Sequence, residues 1–299
     1  MSALVFTILA LALVGPVPAL LARASWPMRA PRAAVVLWQS IALAAVLSAF
    51  SAGLALAARL FSPGPDEFAT LGAPMWIGAV LAFAVTLVIG ARLMVSVAQV
   101  AVATRRRRAH HRMMVDLLGA REIGGLRVLD VAEPLAYCLP GVRSRVVVSR
   151  GTLSALTDQE LAAILRHERA HLRARHDLVL EGFTAVHTAF PRFVRSGSAL
   201  SAVRLLVELL ADDAAVRVNG RRPLARALVT CACGPTPAGA LAASGPSTVV
   251  RVRRLSGPPN SRPLSVAAYF VAIAILVVPT VAVAVPWLNE LHYLWTHWF

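Results

Sequence analysis

A chain of 299 residues, 58% of them apolar, has room for a bundle of membrane spans and one modest globular domain. Fifteen acidic side chains stand against thirty basic ones, a formal net charge of +15, and every one of those thirty is arginine. The apolar residues come in blocks too long for core helices, and the arginines crowd the ends of those blocks instead of forming a stripe. Together these exclude an ordinary soluble fold and a nucleic-acid-binding function.

About 20 apolar residues are needed to cross a bilayer as a helix. Four segments meet that requirement, at about residues 4–22, 34–58, 74–98 and 264–285. Met1-Ser2-Ala3 carries no positive charge ahead of the first block, so it is expected to be a retained span, not a cleaved signal. Arg23, Arg29 and Arg32, then Arg105–Arg108 with Arg112, then Arg251, Arg253, Arg254 and Arg262 all flank spans on one side. Arginine-rich loops stay in the cytoplasm. Asp66, Glu67 and Glu290 fall on the opposite side. The expected topology places the N-terminus outside, residues 99–263 inside and the C-terminus outside. Three regions follow: 1–98 with three transmembrane helices, 99–263 as a cytoplasmic domain, and 264–299 as a fourth span with an aromatic tail. Trp287, Tyr293, Trp295 and Trp298 in that tail read as an interfacial belt. The basic flanks favour the lipid bilayer, through its anionic lipids, as their partner.

Within the cytoplasmic region, residues 99–121 continue the third span as a basic helix. Leu126–Val131 and Arg145–Ser149 read as short strands, with Pro140-Gly141 turning the chain between extended pieces. Thr157-Asp158-Gln159-Glu160 is a capping box that predicts a helix running to about Arg175. Further helices are predicted over Asp177–Phe190 and Ala199–Val218, the latter stopped by Asn219-Gly220. Residues 234–262, rich in Pro, Gly and Ser, read as a loose linker. Cys138, Cys231 and Cys233 lie in the same region and are expected to be reduced, small and buried. The fold class is mainly α and integral to a membrane: four transmembrane helices, with an α+β domain inserted between spans three and four.

The capped helix carries His167-Glu168-Arg169-Ala170-His171. Residues four apart lie one above the other on a helix, so two imidazoles at this spacing can hold one Zn2+. Glu168, next to the first histidine, is the general base for a water at the metal. A catalytic zinc needs a third protein ligand. His176, Glu181 and Glu208 are the candidates, and Glu208 is preferred. Asp212, four residues on, lies on the same helix face and can orient a ligand histidine, with Asp213 as its rival.

His167-Glu168-x-x-His171 followed by Glu208-x-x-x-Asp212 resembles the gluzincin membrane peptidases. It is most like the BlaR/MecR-type antirepressor peptidases of bacterial inner membranes, with the CAAX prenyl protease and HtpX-like group as relatives. Ala136-Tyr137-Cys138-Leu139-Pro140-Gly141 and Val146–Gly151 resemble the strands preceding their active-site helix, and the order of spans and domain also matches. The resemblance implies a zinc endopeptidase with one Zn2+ per chain, acting on a protein or peptide substrate. That substrate would be a cytoplasmic transcriptional repressor and also the enzyme itself, for which Arg253-Arg254 is an accessible candidate site. It further implies that an edge strand at Ala136, Tyr137 and Cys138 holds substrate in extended form by β-augmentation. No external β-lactam-binding domain is expected, because only a short tail follows the fourth span and no lysine exists to complete an S-x-x-K motif. Two other readings are an HtpX-like quality-control protease and a non-catalytic membrane signalling scaffold. The presence of Glu168 argues against the scaffold. The sequence carries no reading of oligomeric state.

Overall fold

The structure, a computed structural model, describes residues 2–61, 73–117, 121–123, 125–141, 144–190, 197–232, 241–242 and 247–298. The first apolar block forms two helices, α1 (Ser2–Val14) and α2 (Pro16–Arg23). They part at Gly15, because a proline cannot donate to the preceding turn. A 3-10 turn at Trp26–Arg29 leads into α3 (Pro31–Phe61), and α4 (Ala73–Leu117) follows. The final helix, α11 (Arg262–Trp298), carries the fourth apolar block. Among the described residues four helical stretches are long and apolar enough to cross a membrane: Leu4–Arg23, Pro31–Gly53, Trp76–Leu117 and Arg262–Val281. Leu13 of α1, Leu37, Ile41 and Ala44 of α3, and Ala272 of α11 share one apolar cluster, so α3 sits between its neighbours. Ile77, Val80, Leu81 and Val88 of α4 are exposed, as expected of a surface facing lipid. Asp66 and Glu67 lie outside the described residues, as do the side chains of the aromatic tail.

α4 runs unbroken into the domain. Among the described residues five strands follow: β1 (Arg121–Ile123), β2 (Leu126–Leu129), β3 (Ala136–Leu139), β4 (Arg145–Ser149) and, much later, β5 (Leu241–Ala242). They form one sheet in the order β1-β2-β4-β3-β5. β4 runs parallel to β2 and antiparallel to β3, pairing Tyr137 with Val147. The β3–β5 pairing is antiparallel, Tyr137 to Ala242 and Cys138 to Leu241. β3 is therefore an inner strand at Tyr137 and Cys138, where β5 covers the edge expected to be open, and Ala136 has no β5 partner among the described residues.

α5 (Arg150–Ala155) starts where the Ser149 hydroxyl accepts from the Thr152 amide at 3.0 Å. Gly151 beneath it has no alternative, since a Cβ there would lie 1.9 Å from the Ala132 carbonyl oxygen. The capping box is formed as expected. Thr157 accepts from the Glu160 amide at 3.4 Å, and Glu160 accepts from the Thr157 amide at 3.0 Å. They open α6 (Asp158–Arg173), the helix of the histidine motif. Arg175, with φ of 50°, turns the chain into α7 (His176–Ala189). α8 (Gly197–Asn219) ends at Gly220, whose φ of 83° suits glycine.

Two further helices lie where the sequence showed none. α9 (Arg221–Ala232) buries Leu224 and Leu228, and α10 (Thr248–Leu255) buries Arg251 and Leu255. α10 corrects the loose linker expected over 234–262. A helix of eight residues is marginal alone and is held here by tertiary contacts. Its Arg254 is half-buried and bonded to Asp213 and the Met28 carbonyl, so it is not the accessible residue expected at Arg253-Arg254. The core joins Val146 and Val148 of the sheet to Ala163 and Ile164 of α6, Ala215 of α8, Leu228 of α9 and Leu255 of α10. Each fully buried aliphatic side chain of this kind contributes about 1.5–3 kcal/mol. The site is thus built on helices fixed from several directions.

Candidate metal centre and active site

His167 and His171 stand one turn apart on α6, both buried, with their Nε2 atoms 3.2 Å apart. Two nitrogens each about 2.0–2.1 Å from one ion at the tetrahedral angle lie about 3.3 Å apart. α8 brings Glu208 to the same point, one oxygen 3.4 Å from His167 Nε2 and the other 3.6 Å from His171 Nε2. The fully buried Ala211 and Ala215 share that face of α8 and allow the two helices to approach. One ligand atom from each of His167, His171 and Glu208 lies within 4.8 Å of the others. Two imidazole nitrogens and one carboxylate are a catalytic-zinc donor set, and the residues present fit the ion.

Glu168 is fully buried beside the Cys138 thiol of β3. Apart from the Cys138 thiol, neither of its carboxylate oxygens has a hydrogen-bond partner among the described residues. Burial pushes its pKa up, against the pull of the two neighbouring histidines. A carboxylate met only by a weakly donating thiol, at a cluster of metal-binding groups, is suited to accept a proton. Asp212 Oδ1 lies 3.0 Å from His167 Nδ1. In the neutral imidazole this fixes the proton on Nδ1 and turns the Nε2 lone pair towards His171 and Glu208.

Residues 101–258 match the sequence profile of Peptidase family M48. The chain belongs to Peptidase family M48. No curated protein and no solved structure matches it. Membership implies a zinc metallopeptidase acting on protein or peptide, and the four apolar helices fit association with a membrane. The matched region starts in the part of α4 beyond the apolar block and stops just before α11.

Within the M48 region the structure adds a residue that sequence reading placed in the juxtamembrane charge: Arg251. Its side chain is 1% exposed. Nε and Nη2 donate to the two Asp212 oxygens at 2.8 and 2.6 Å, and Nη1 lies 3.0 Å from Glu208 Oε2. Nη2 is also 3.4 Å from His167 Nε2. The available signal was the lack of a basic i+4 partner for Glu208 and Asp212: buried carboxylates need a cation, and in this chain that means arginine.

The alternatives weighed for these roles lie elsewhere. His176 meets His171 edge to face, its Nδ1 3.0 Å from His171 Nδ1, on the far side of that ring from Glu208. Burial, aided by the neighbouring histidines, lowers its pKa to about 4, so it is neutral. Glu181 and Asp177 both pair with Arg108 of α4. Asp213 binds Arg254 at 2.8 Å and Asn260 at 2.7 Å, turned away from the histidines.

The cluster's charges support one another. Burial opposes ionisation of Glu208, yet His171, His167 and Arg251 hold its pKa well below the ordinary value. Asp212 is likewise lowered, with Arg251 and His167 outweighing burial. Burial pulls His167 down, but Asp212 and Glu208 more than reverse this and raise it to about 9. On β3, Ala136, Tyr137 and Cys138 are all buried. The Tyr137 hydroxyl meets His111 Nε2 of α4 at 3.1 Å, and burial raises its pKa to about 12.

Proposed function

We propose that this M48 chain is an integral-membrane zinc endopeptidase. His167, His171 and Glu208 hold one Zn2+, Glu168 is the general base, and Asp212 orients His167. The observation that carries this reading is the convergence of the two Nε2 atoms and Glu208 beside the buried carboxylate of Glu168. Bound zinc supplies a Lewis acid that polarises the scissile carbonyl and makes water more acidic. Glu168 takes a proton from the attacking water as its oxygen bonds to the carbonyl carbon. The same carboxyl then gives that proton to the leaving nitrogen as the C–N bond breaks. Arg251 keeps Asp212 and Glu208 ionised and in place. β3 is the strand that would hold an extended substrate along Ala136, Tyr137 and Cys138. An incoming segment competes there with Leu241 and Ala242 of β5.

The domain at 99–263 faces the cytoplasm of a bacterial inner membrane, with both termini outside; the support is the distribution of arginine around the spans. The substrate is a cytoplasmic transcriptional repressor, and the enzyme also cuts itself; the support is the BlaR/MecR-like order of spans and zinc motif. Ion pairs from Arg108 of α4 to Asp177 and Glu181 offer a route from the third span to the helix after the metal ligands. Digestion of a folded candidate repressor beside an unfolded membrane protein tests the assignment. One or a few cuts in the repressor, absent in Glu168→Ala, support the regulator. Many cuts in the unfolded chain alone support the quality-control reading. Zinc-loaded protein that cuts neither returns the scaffold reading.

A further inference from the structure

A cavity of about 670 Å3 lies on a face of α6 beside the one that carries the metal ligands. Six arginines line it: Arg32, Arg166, Arg173, Arg217, Arg221 and Arg254. Among the described residues Asp213 is the one carboxylate on its wall, and Arg254 already pairs with it. Arg221 is turned to the carbonyls of Leu255 and Gly257. Among the described residues Arg32, Arg166, Arg173 and Arg217 form no ion pair. Four unneutralised guanidinium groups around one cavity repel each other and favour an anion with several oxygens, which each fork can grip bidentately.

Its position selects the source of that anion. Ala30 and Pro31, at the start of the second apolar helix, border the cavity, and so does Ser265 in the first turn of α11. The cavity therefore opens at the level where two apolar helices leave the domain and enter the bilayer. Helix N-termini there add their own partial positive charge. Basic pockets between spans at a membrane face are suited to phospholipid headgroups. The volume is within the usual range of small-ligand sites, about 300–1,000 Å3.

We propose that this cavity binds the phosphate headgroup of an anionic membrane phospholipid, resting on the reading of the apolar helices as spans. Its walls come from α6, α8, α10 and the starts of α3 and α11, so a bound phosphate ties the catalytic helix to the spans. His176, which touches His171, also reaches the cavity wall. Occupancy of the cavity therefore bears on the rear of a metal ligand.

The test uses the full chain carrying Glu168→Ala in nanodiscs of mixed phosphatidylglycerol and phosphatidylcholine, so that its outcome is independent of catalysis. Lipid retained after transfer to neutral detergent is measured by native mass spectrometry. The expected result is selective retention of phosphatidylglycerol, weakened about fivefold for each arginine removed in Arg166→Gln, Arg173→Gln and Arg217→Gln. A comparison protein with Arg105→Gln, Arg106→Gln and Arg107→Gln, on the exposed part of α4, retains it as before. Thermal unfolding of the three-arginine variant in neutral detergent is expected to match the parent, since none of these side chains is paired. Equal retention in both variants, or equal loss, overturns the proposal. So does displacement of the lipid by millimolar inorganic phosphate, which marks a site for soluble anions. Equal retention of phosphatidylcholine by the unaltered cavity overturns it without any substitution.

Discussion

Arg251 grips Asp212 with two parallel hydrogen bonds, at 2.8 and 2.6 Å, while Asp212 faces His167 at 3.0 Å. A residue on the short helix before the last span thus bears on the first metal ligand through one carboxylate. Removing one partner of a buried ion pair costs about 3–5 kcal/mol. Arg251→Ala is expected to destabilise the zinc-free domain by about that much, measured by chemical denaturation in detergent. Zinc, by neutralising Glu208, should shrink the difference. Arg251→Lys keeps the charge without the fork and should fall between. A loss below about 1 kcal/mol in Arg251→Ala would remove Arg251 from its supporting role.

Glu168 and Glu208 separate chemistry from metal retention. Glu168→Ala is expected to keep its zinc and lose on the order of 100-fold or more in turnover, as befits a general base. Glu208→Ala should lose much of both. Asp212→Ala should lower zinc affinity about 10–100-fold by releasing His167. Metal content by elemental analysis, alongside peptide cleavage, checks all three. A zinc-free Glu168→Ala would recast that residue as a ligand.

His167 carries a proton in the zinc-free protein, its pKa raised to about 9 against 6.5 in the unfolded chain. A raised pKa contributes stability that is fully present below pH 6.5 and is lost as pH rises through about 9. Zinc needs the unprotonated nitrogen, so its affinity should climb over the same window while the zinc-free domain weakens. Denaturation curves and competitive zinc titrations at several pH values measure the two opposite slopes. Zinc-free stability flat from pH 6.5 to 9 would contradict the pairing of His167 with Asp212 and Glu208.

Leu241 and Ala242 sit on β3 where an extended substrate is proposed to lie. Facing residues of an antiparallel pair alternate between bonded and unbonded, so proline at both positions removes the one β5 amide that can donate to β3. At about 0.5–1.5 kcal/mol per hydrogen bond, this should lower KM for an extended peptide by up to roughly tenfold with kcat unchanged. An unchanged or raised KM would place substrate away from β3.

The histidine motif and its capping box were legible because each depends on local spacing, and Glu208, two helices later, because Asp212 stands one turn from it on the same face. Thr157 and Glu160 need three residues to find one another, and His167 and His171 need one turn. The β3–β5 pairing and the α10 helix were not legible, because both are short, and β5 takes its hydrogen bonds, and α10 its burial, from distant partners. Arg251 looked like membrane-flanking charge for the same reason: its partners lie 39 and 43 positions away and on another helix. Arg92 is a related case. It falls late in an apolar block, and it donates to the Ala189 carbonyl of α7 at 3.0 Å.

α4 extends 45 residues, about 68 Å at 1.5 Å per residue, and beyond Gly90 contains neither glycine nor proline. Along that jointless stretch Arg92, Ser96 and Arg108 are all fastened to α7. A rod tied at three heights cannot tilt in the bilayer without swinging what it is tied to. A pull along α4 should therefore reach His176 and His171 as mechanical displacement, with no diffusing messenger between them.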